Sequence, residues 1–232
     1  TLFNPLNKNG ITDKNEPITV YKFYNGAGEV APTYKGTTFA GTHNHYVTSG
    51  GATVTAANLL TLAGLTEEHG YTLQGGYKNV LWVNKQEAAV IKTFKTSTGA
   101  AYDFVPNPAY YGGKIWVPDN GSYVGGPQGT VEGEIGTWGP FHVVEEQYIP
   151  AGYLVSVVTG GEDNISNPIG IREHANPAYR GLKLIPGQRS QYPLVDSFYR
   201  RGFGTGIRHR GAGAVMQITA NANYAVPTRY AG

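Results

Sequence analysis

Two histidines separated by one residue give the sequence its most suggestive chemistry. In THNHY, residues 42–46, His43 and His45 point to the same side if the chain is extended, as a pair of metal ligands would. Glu67, Glu68 and His69 follow as candidates to complete such a set. A pair of histidines alone has no outer shell to orient it. Histidines hydrogen-bonded within a strand are therefore the favoured reading, and no metal or cofactor is expected. Acidic pairs occur at Glu132 and Glu134, which share one strand face, and at Glu145 and Glu146, which do not. A glycosidase needs two carboxylates converging across a cleft, so neighbours on one strand are read as solvated. GFGTG, from Gly202 to Gly206, fails the dinucleotide fingerprint because Ile207 stands where the third glycine belongs. No G-x-x-x-x-G-K-[ST] and no G-x-S-x-G occurs, and the chain reads as non-enzymatic.

The strongest charge feature is a basic cluster: Arg200, Arg201, Arg208, His209 and Arg210. Arginine favours planar partners such as carboxylates and phosphates. Contacts between subunits are weighted above nucleic acid, because no aromatic platform is interleaved with these arginines. The cluster belongs to a wider asymmetry. Residues 1–170 carry nine basic against fourteen acidic side chains, net −5, and residues 171–232 carry nine against two, net +7. Such a split suits head-to-tail association or one face turned to a polyanion.

The elements that must position these residues are readable in part. The stretch up to about Glu16 has few apolar residues and reads as an extended arm instead of a core element. Alternation from Ile18 to Phe23, a turn signal at Asn25-Gly26 and a return strand from Thr37 to Tyr46 predict a long, irregular hairpin. Thr55 is an N-cap for a helix with Ala56, Leu59, Leu60 and Ala63 at helical spacing, ending at His69-Gly70. A short strand, Asn79 to Val83, precedes a second helix from Lys85 to about Phe94. Asn84 and Glu87 look like its capping pair, and Ala88, Val90 and Ile91 are its packing residues.

From Ala101 the pattern turns to strands: Lys114 to Val117, Thr130 to Thr137, Phe141 to Ile149 and Tyr153 to Thr159. The Pro150-Ala151-Gly152 turn predicts that the last two are antiparallel neighbours. Leu194 to Tyr199 and Ala212 to Thr219 are further strands, joined by RRGFGTGIRHRGAG.

Composition limits the class of protein. The 232 residues are enough for one sizeable core or two modest ones. There is no cysteine, which excludes disulfides, thiolate metal sites and cysteine nucleophiles within the sequence. Only 15% of residues are charged, against about 25% in an ordinary soluble domain. There are 33 Gly, 14 Pro and 17 Tyr. A charge-poor, Tyr-rich surface is expected of a subunit that covers much of its outside with neighbours. No apolar run reaches the roughly 18 residues of a membrane span. Thr1 is not an initiator Met, and the chain is expected to begin inside a longer precursor.

Several segments, taken in order over about residues 36–219, resemble the major capsid proteins of tailed bacteriophages, the Hong Kong 97-like fold. They are GTTFAGTHNHYVTSGGATVTAANLL with EEHGY, KNVLWVNKQEAAVIKTF, IGTWGPFHVVEEQYIPAGYLVSVVTGG, NPAYRGLKLIPG, and YPLVDSFYRRGFGTGIRHRGAGAVMQIT. The resemblance implies an α+β fold in four parts. These are an extended arm and hairpin loop over 1–47, a peripheral domain with its spine helix over 48–75, a β-rich axial domain over 76–188, and a return to the peripheral domain over 189–232.

The same resemblance implies a self-assembling structural protein of the virion, built in the bacterial host cytoplasm. It would form hexamers and pentamers into an icosahedral shell around double-stranded DNA, which it would touch without sequence specificity. Portal, scaffolding and decoration proteins would be further partners, with no membrane and no cofactor. The alternatives are an encapsulin-type cellular shell and, from another class, a β-rich carbohydrate-binding module or hydrolase. The second would use Trp82, Trp116 and Trp138 as stacking platforms.

Overall fold

A computed structural model describes residues 2–5, 9–13, 16–19, 22–72, 77–107, 115–117, 122–124, 133–160, 168–173, 176–186 and 197–228. Among them the elements are β1 (Asn9–Asp13), β2 (Glu16–Thr19), β3 (Tyr46–Thr48), α1 (Ala56–Glu67), β4 (Tyr77–Val83), α2 (Lys85–Ile91), β5 (Phe104–Pro106), β6 (Ile115–Val117) and β7 (Ser122–Val124). They continue with β8 (Glu134–Trp138), β9 (Phe141–Glu145), β10 (Tyr153–Gly160), β11 (Ile169–Glu173), β12 (Lys183–Pro186), β13 (Ser197–Arg200), β14 (Phe203–Ile207) and β15 (Gly213–Gln217).

One seven-stranded mixed sheet, ordered β3-β15-β10-β4-β9-β8-β5, organises the fold, and the other described strands pair into four two-stranded ribbons. The fold is α+β. The sheet takes β4, β5, β8, β9 and β10 from the segment expected to be axial and β15 from the segment expected to return. Its strand β3 straddles the expected boundary at 47–48.

Alternation along the central strands divides the core between the two sheet faces. Leu81, Val83, Leu154, Ala214 and Met216 face the helices, with Leu59, Leu62 and Ile91. Val155, Val157 and Val215 face the other way, onto Phe3, Phe23, Tyr46, Tyr153 and Ile207. Phe3 is thus a core residue, only 5% exposed, and its ring meets Tyr153 edge-on at 5.7 Å. The arm is expected to lie outside the core, whereas its described start covers this chain's own sheet. One buried phenylalanine, with Leu2 packed partly buried against the same cluster, is enough to anchor it.

Helix α1 begins as its cap requires. The Thr55 hydroxyl accepts from the Asn58 amide at 3.3 Å, and Asn58 Oδ1 accepts from the Thr55 amide at 2.9 Å. Leu59, Leu62, Ala63 and Thr66 are its buried stripe, while Leu60 is 41% exposed. At the other end the Gly70 amide returns to the Glu67 carbonyl, with Gly70 at φ 90°. In α2 the Asn84 side chain accepts from the Gln86 amide. Glu87 does not close a capping box. Its carboxylate turns away to accept from the Gly152 amide at 2.8 Å, tying the helix to the turn before β10.

Two turn expectations are corrected. The hairpin of residues 22–45 reverses at Lys35 and Gly36, both at positive φ, between a Tyr34 and Thr37 that bridge each other. Two successive positive φ values define the type I′ turn that suits a twisted hairpin. Asn25 instead lies within the ladder, bridged to Asn44. The Pro150 turn does form, with the Tyr153 amide donating to the Pro150 carbonyl. Yet β9 and β10 are not partners, because β4 lies between them, parallel to β9 and antiparallel to β10. A tight turn fixes direction but leaves room for a strand from earlier in the chain.

Candidate functional site

The hairpin base is where the structure concentrates chemistry. His45 sits between two backbones: its amide donates to the Tyr24 carbonyl at 2.8 Å, and its carbonyl accepts from the Val215 amide at 2.8 Å. Two residues earlier, the His43 carbonyl accepts from the Gly26 amide. The extended backbone puts both rings on one side, as the spacing predicts. The tight end of α1 then delivers His69 to the same place.

Three Nε2 atoms converge there. His43 and His45 are 2.9 Å apart, His43 and His69 3.0 Å, and His45 and His69 3.1 Å. The rings are held from behind. His45 Nδ1 lies 2.7 Å from the Gly213 carbonyl, so Nδ1 carries the proton and the neutral ring turns a bare Nε2 lone pair inward. Phe39 stacks on His69 at 4.2 Å and 12°, and Tyr24 stacks on it at 5.3 Å and 17°. Gly211 leaves the space for this ring, since a Cβ there would stand 2.6 Å from His69 Cγ.

Burial favours the neutral form of all three rings. Burial pushes His45 down to about 3, against the bond to Gly213, which raises it, and with His69 and His43 adding to the fall. His69 drops to about 4 through burial and the neighbouring His43. His43 is lowered by burial too, with Glu68 pulling the other way. Among the described residues this is the one group of three or more potential metal-ligating side chains with mutually close donor atoms. The sequence reading names all three histidines yet sets the metal aside for want of an outer shell. The Gly213 carbonyl supplies one. The helix stop at His69-Gly70 is the sequence signal nearest to the convergence.

The basic cluster does not stay together. Arg210 is an internal clamp: its Nε donates to the Lys22 carbonyl at 2.8 Å, its guanidinium pairs with Glu29, and it lies 4.8 Å over the Tyr24 ring. Arg201 grips Glu173 through Nη2 at 2.9 Å and Nε at 3.2 Å. Arg200 and Arg208 are exposed and His209 is half-buried. The segment also contains β14, a strand the glycines had hidden, and Arg208 and Arg210 follow it without sharing a strand face.

Of the paired acids, Glu134 is buried 3.1 Å from His142 Nδ1, contrary to the solvated reading, and Glu132 lies outside the described residues. Trp138 is fully buried and donates to the Tyr102 carbonyl at 2.9 Å, so it is a core residue and not a stacking platform. Trp82 is partly buried against the core, and the Trp116 side chain lies outside the described residues. Among the described residues no helix is long and apolar enough to cross a membrane.

The α+β architecture has counterparts among solved structures. A structure titled "Mycobacterium phage Patience" contains a chain 41% identical to this one, with a TM-score of 0.77, and the match covers 99% of this chain. The two share a fold, and this chain spans 60% of that protein's length. Looser similarities link it to the holo-SrpI encapsulin complex of Synechococcus elongatus, at 13% identity and a TM-score of 0.45, covering 78% of this chain and 55% of that one. The capsid of a native GTA particle gives 14% and 0.41, covering 90% and 58%. Likeness at that level is too loose to carry function. No protein-family model matches the chain, and no curated protein does either.

Proposed function

We propose that this chain is a capsid-type shell subunit, the major capsid protein of a tailed phage, whose work is assembly and not catalysis. The observation that carries the reading is the β12–β13 ribbon, in a chain that shares its fold with a phage protein. Leu184 pairs with Tyr199 and Ile185 with Phe198. Successive residues point to opposite faces, so each face of the ribbon carries one apolar pair. All four side chains are exposed, by 58, 68, 44 and 61% in that order. A lone two-stranded ribbon is marginal in water, and apolar surface on both its faces calls for another molecule on each. Repeated copies of the same chain meet that need while holding every subunit by several neighbours at once.

On this reading the copies form hexamers and pentamers of an icosahedral shell around double-stranded DNA. The hairpin and spine helix belong to a peripheral region, the middle of the chain to an axial one, and portal, scaffolding and decoration proteins complete the particle. Arg200 and Arg208 are then the members of the basic cluster available to a neighbour's carboxylates or to phosphate. Electron microscopy of the purified protein tests the proposal: closed shells are expected, and a monomer of about 24.9 kDa by size exclusion would overturn it. Nuclease-protected DNA inside the shells is expected of a virion, whereas a co-purifying cargo enzyme would reassign them to a cellular compartment.

A further inference from the structure

We propose that His43, His45 and His69 bind one divalent transition-metal ion of the zinc class, and that the ion fastens the hairpin of residues 22–45 to the end of α1 and to β15. The geometry is that of a three-imidazole face. Nitrogens about 2.0–2.1 Å from one ion, at angles between a right angle and tetrahedral, lie roughly 2.8–3.4 Å apart, and the three separations here are 2.9, 3.0 and 3.1 Å.

Hydrogen bonding among the rings does not satisfy the same arrangement. His45 Nε2 is a bare lone pair, because Nδ1 donates to Gly213. One N–H, from His43 or His69, can point at that lone pair. The remaining Nε2 then meets either a second hydrogen or another lone pair within 3.1 Å, and both contacts are repulsive. A cation accepts all three lone pairs together. The outer shell matches such a site too, with a backbone carbonyl fixing one tautomer and stacked rings fixing another ligand's plane. Arg210, which lies over the Tyr24 ring that stacks on His69, is offset by Glu29.

Neutral nitrogen ligands without sulfur or carboxylate select Zn(II), Co(II), Ni(II) or Cu(II) over Mg(II) and Ca(II). Three protein ligands leave outer coordination positions to water or a further donor. The mechanical consequence follows from connectivity. His43 and His45 end the hairpin, His69 follows α1, and His45 is bonded to the Gly213 carbonyl of β15, so one ion, together with that bond, joins three elements.

The test uses the full chain, purified without a histidine tag in whatever assembly it forms and dialysed against zinc or cobalt. One metal per chain by elemental analysis is expected, together with visible Co(II) bands of nitrogen coordination. His43→Gln and His69→Gln, at half-buried positions that tolerate a polar side chain, should each weaken binding by more than the roughly 10–100-fold that outer-shell partners are worth. His142→Gln, away from the site, should keep the metal. Addition of a chelator should speed amide exchange at Gly26, Gly28 and His45 in the parent chain and leave it unchanged in His69→Gln. Metal content below one-tenth per chain, or metal retained by both variants, would overturn the site. Unchanged exchange on chelation would overturn the fastening. None of these outcomes depends on whether shells form.

Discussion

The hairpin base and the β12–β13 ribbon are built from similar material and end in opposite conditions. Both are two-stranded and both are rich in aromatic residues. In the hairpin, Phe23 is fully buried and Phe39 is 8% exposed, and the ladder is closed by Arg210, β15 and the end of α1 from the same chain. In the ribbon, Phe198 and Tyr199 are more than 60% exposed. Two strands cannot bury their own faces. The hairpin finds its cover within the chain, and on the proposed reading the ribbon leaves that need to another molecule. The contrast separates residues that decide whether the chain folds from residues that decide what it does once folded.

The sharpest way to break this contrast is at the ribbon. Phe198→Asp with Tyr199→Asp puts a charge on each face, and closed particles should vanish from electron micrographs. Circular dichroism of the unassembled chain should keep its parent spectrum, because neither residue packs in the core. Intact shells from this variant would mean that no neighbour covers the ribbon. Arg210→Ala attacks the other side of the contrast. It removes the bond to the Lys22 carbonyl, the pair with Glu29 and the face of Tyr24 together. A loss of about 2–3 kcal/mol is expected in urea denaturation of the unassembled chain. Arg210→Lys should recover only part of it, since an ammonium has no planar fork. An unchanged midpoint would show the clamp to be idle.

Between these lies Gly211→Ala. The new Cβ would press on His69, 2.6 Å from Cγ, so about 1–3 kcal/mol should be lost. Hydrogen exchange should place that loss at the hairpin base and leave the face formed by α1 and Leu154 protected. Thr55→Ala, which removes the α1 cap, should cost about 1 kcal/mol and leave the hairpin alone.

Local signals were legible and partnerships were not. Thr55, the Gly70 stop and the Asn84 cap could be read because each acts within a few residues of itself. Most misread features depend on distant chain, the hairpin turn at Lys35-Gly36 in place of Asn25-Gly26 being the local exception. Glu87 was to close a capping box until Gly152, sixty-five residues away, offered it a donor. The turn at Pro150 gave the directions of β9 and β10 but could not reveal that β4 would enter between them. Leu60 satisfies helical spacing yet faces out, because Leu62 and Thr66 define the stripe that meets the sheet. The histidines mark the same boundary. The spacing of His43 and His45 was readable, and their meeting with His69 required the register of the hairpin against the end of α1.

The smallest expected effect concerns a pair that the sequence could not separate. Arg208 and Arg210 stand two apart in one basic run, and strand spacing would have given them one face and one role. The backbone after β14 bends instead. Arg210 turns inward to Lys22, while Arg208 remains exposed, its stem lying along Gly170. Charge reversal should therefore split them. Arg208→Glu is expected to move the stability of the unassembled chain by no more than about 0.5 kcal/mol, as is usual for a surface position. Any defect it causes should emerge only in particle yield and should weaken as salt screens the contact. Arg210→Glu should instead unfold the hairpin base before assembly is reached. If both reversals lower stability alike, Arg208 belongs to the internal clamp, and the division between folding residues and assembly residues does not run through this loop.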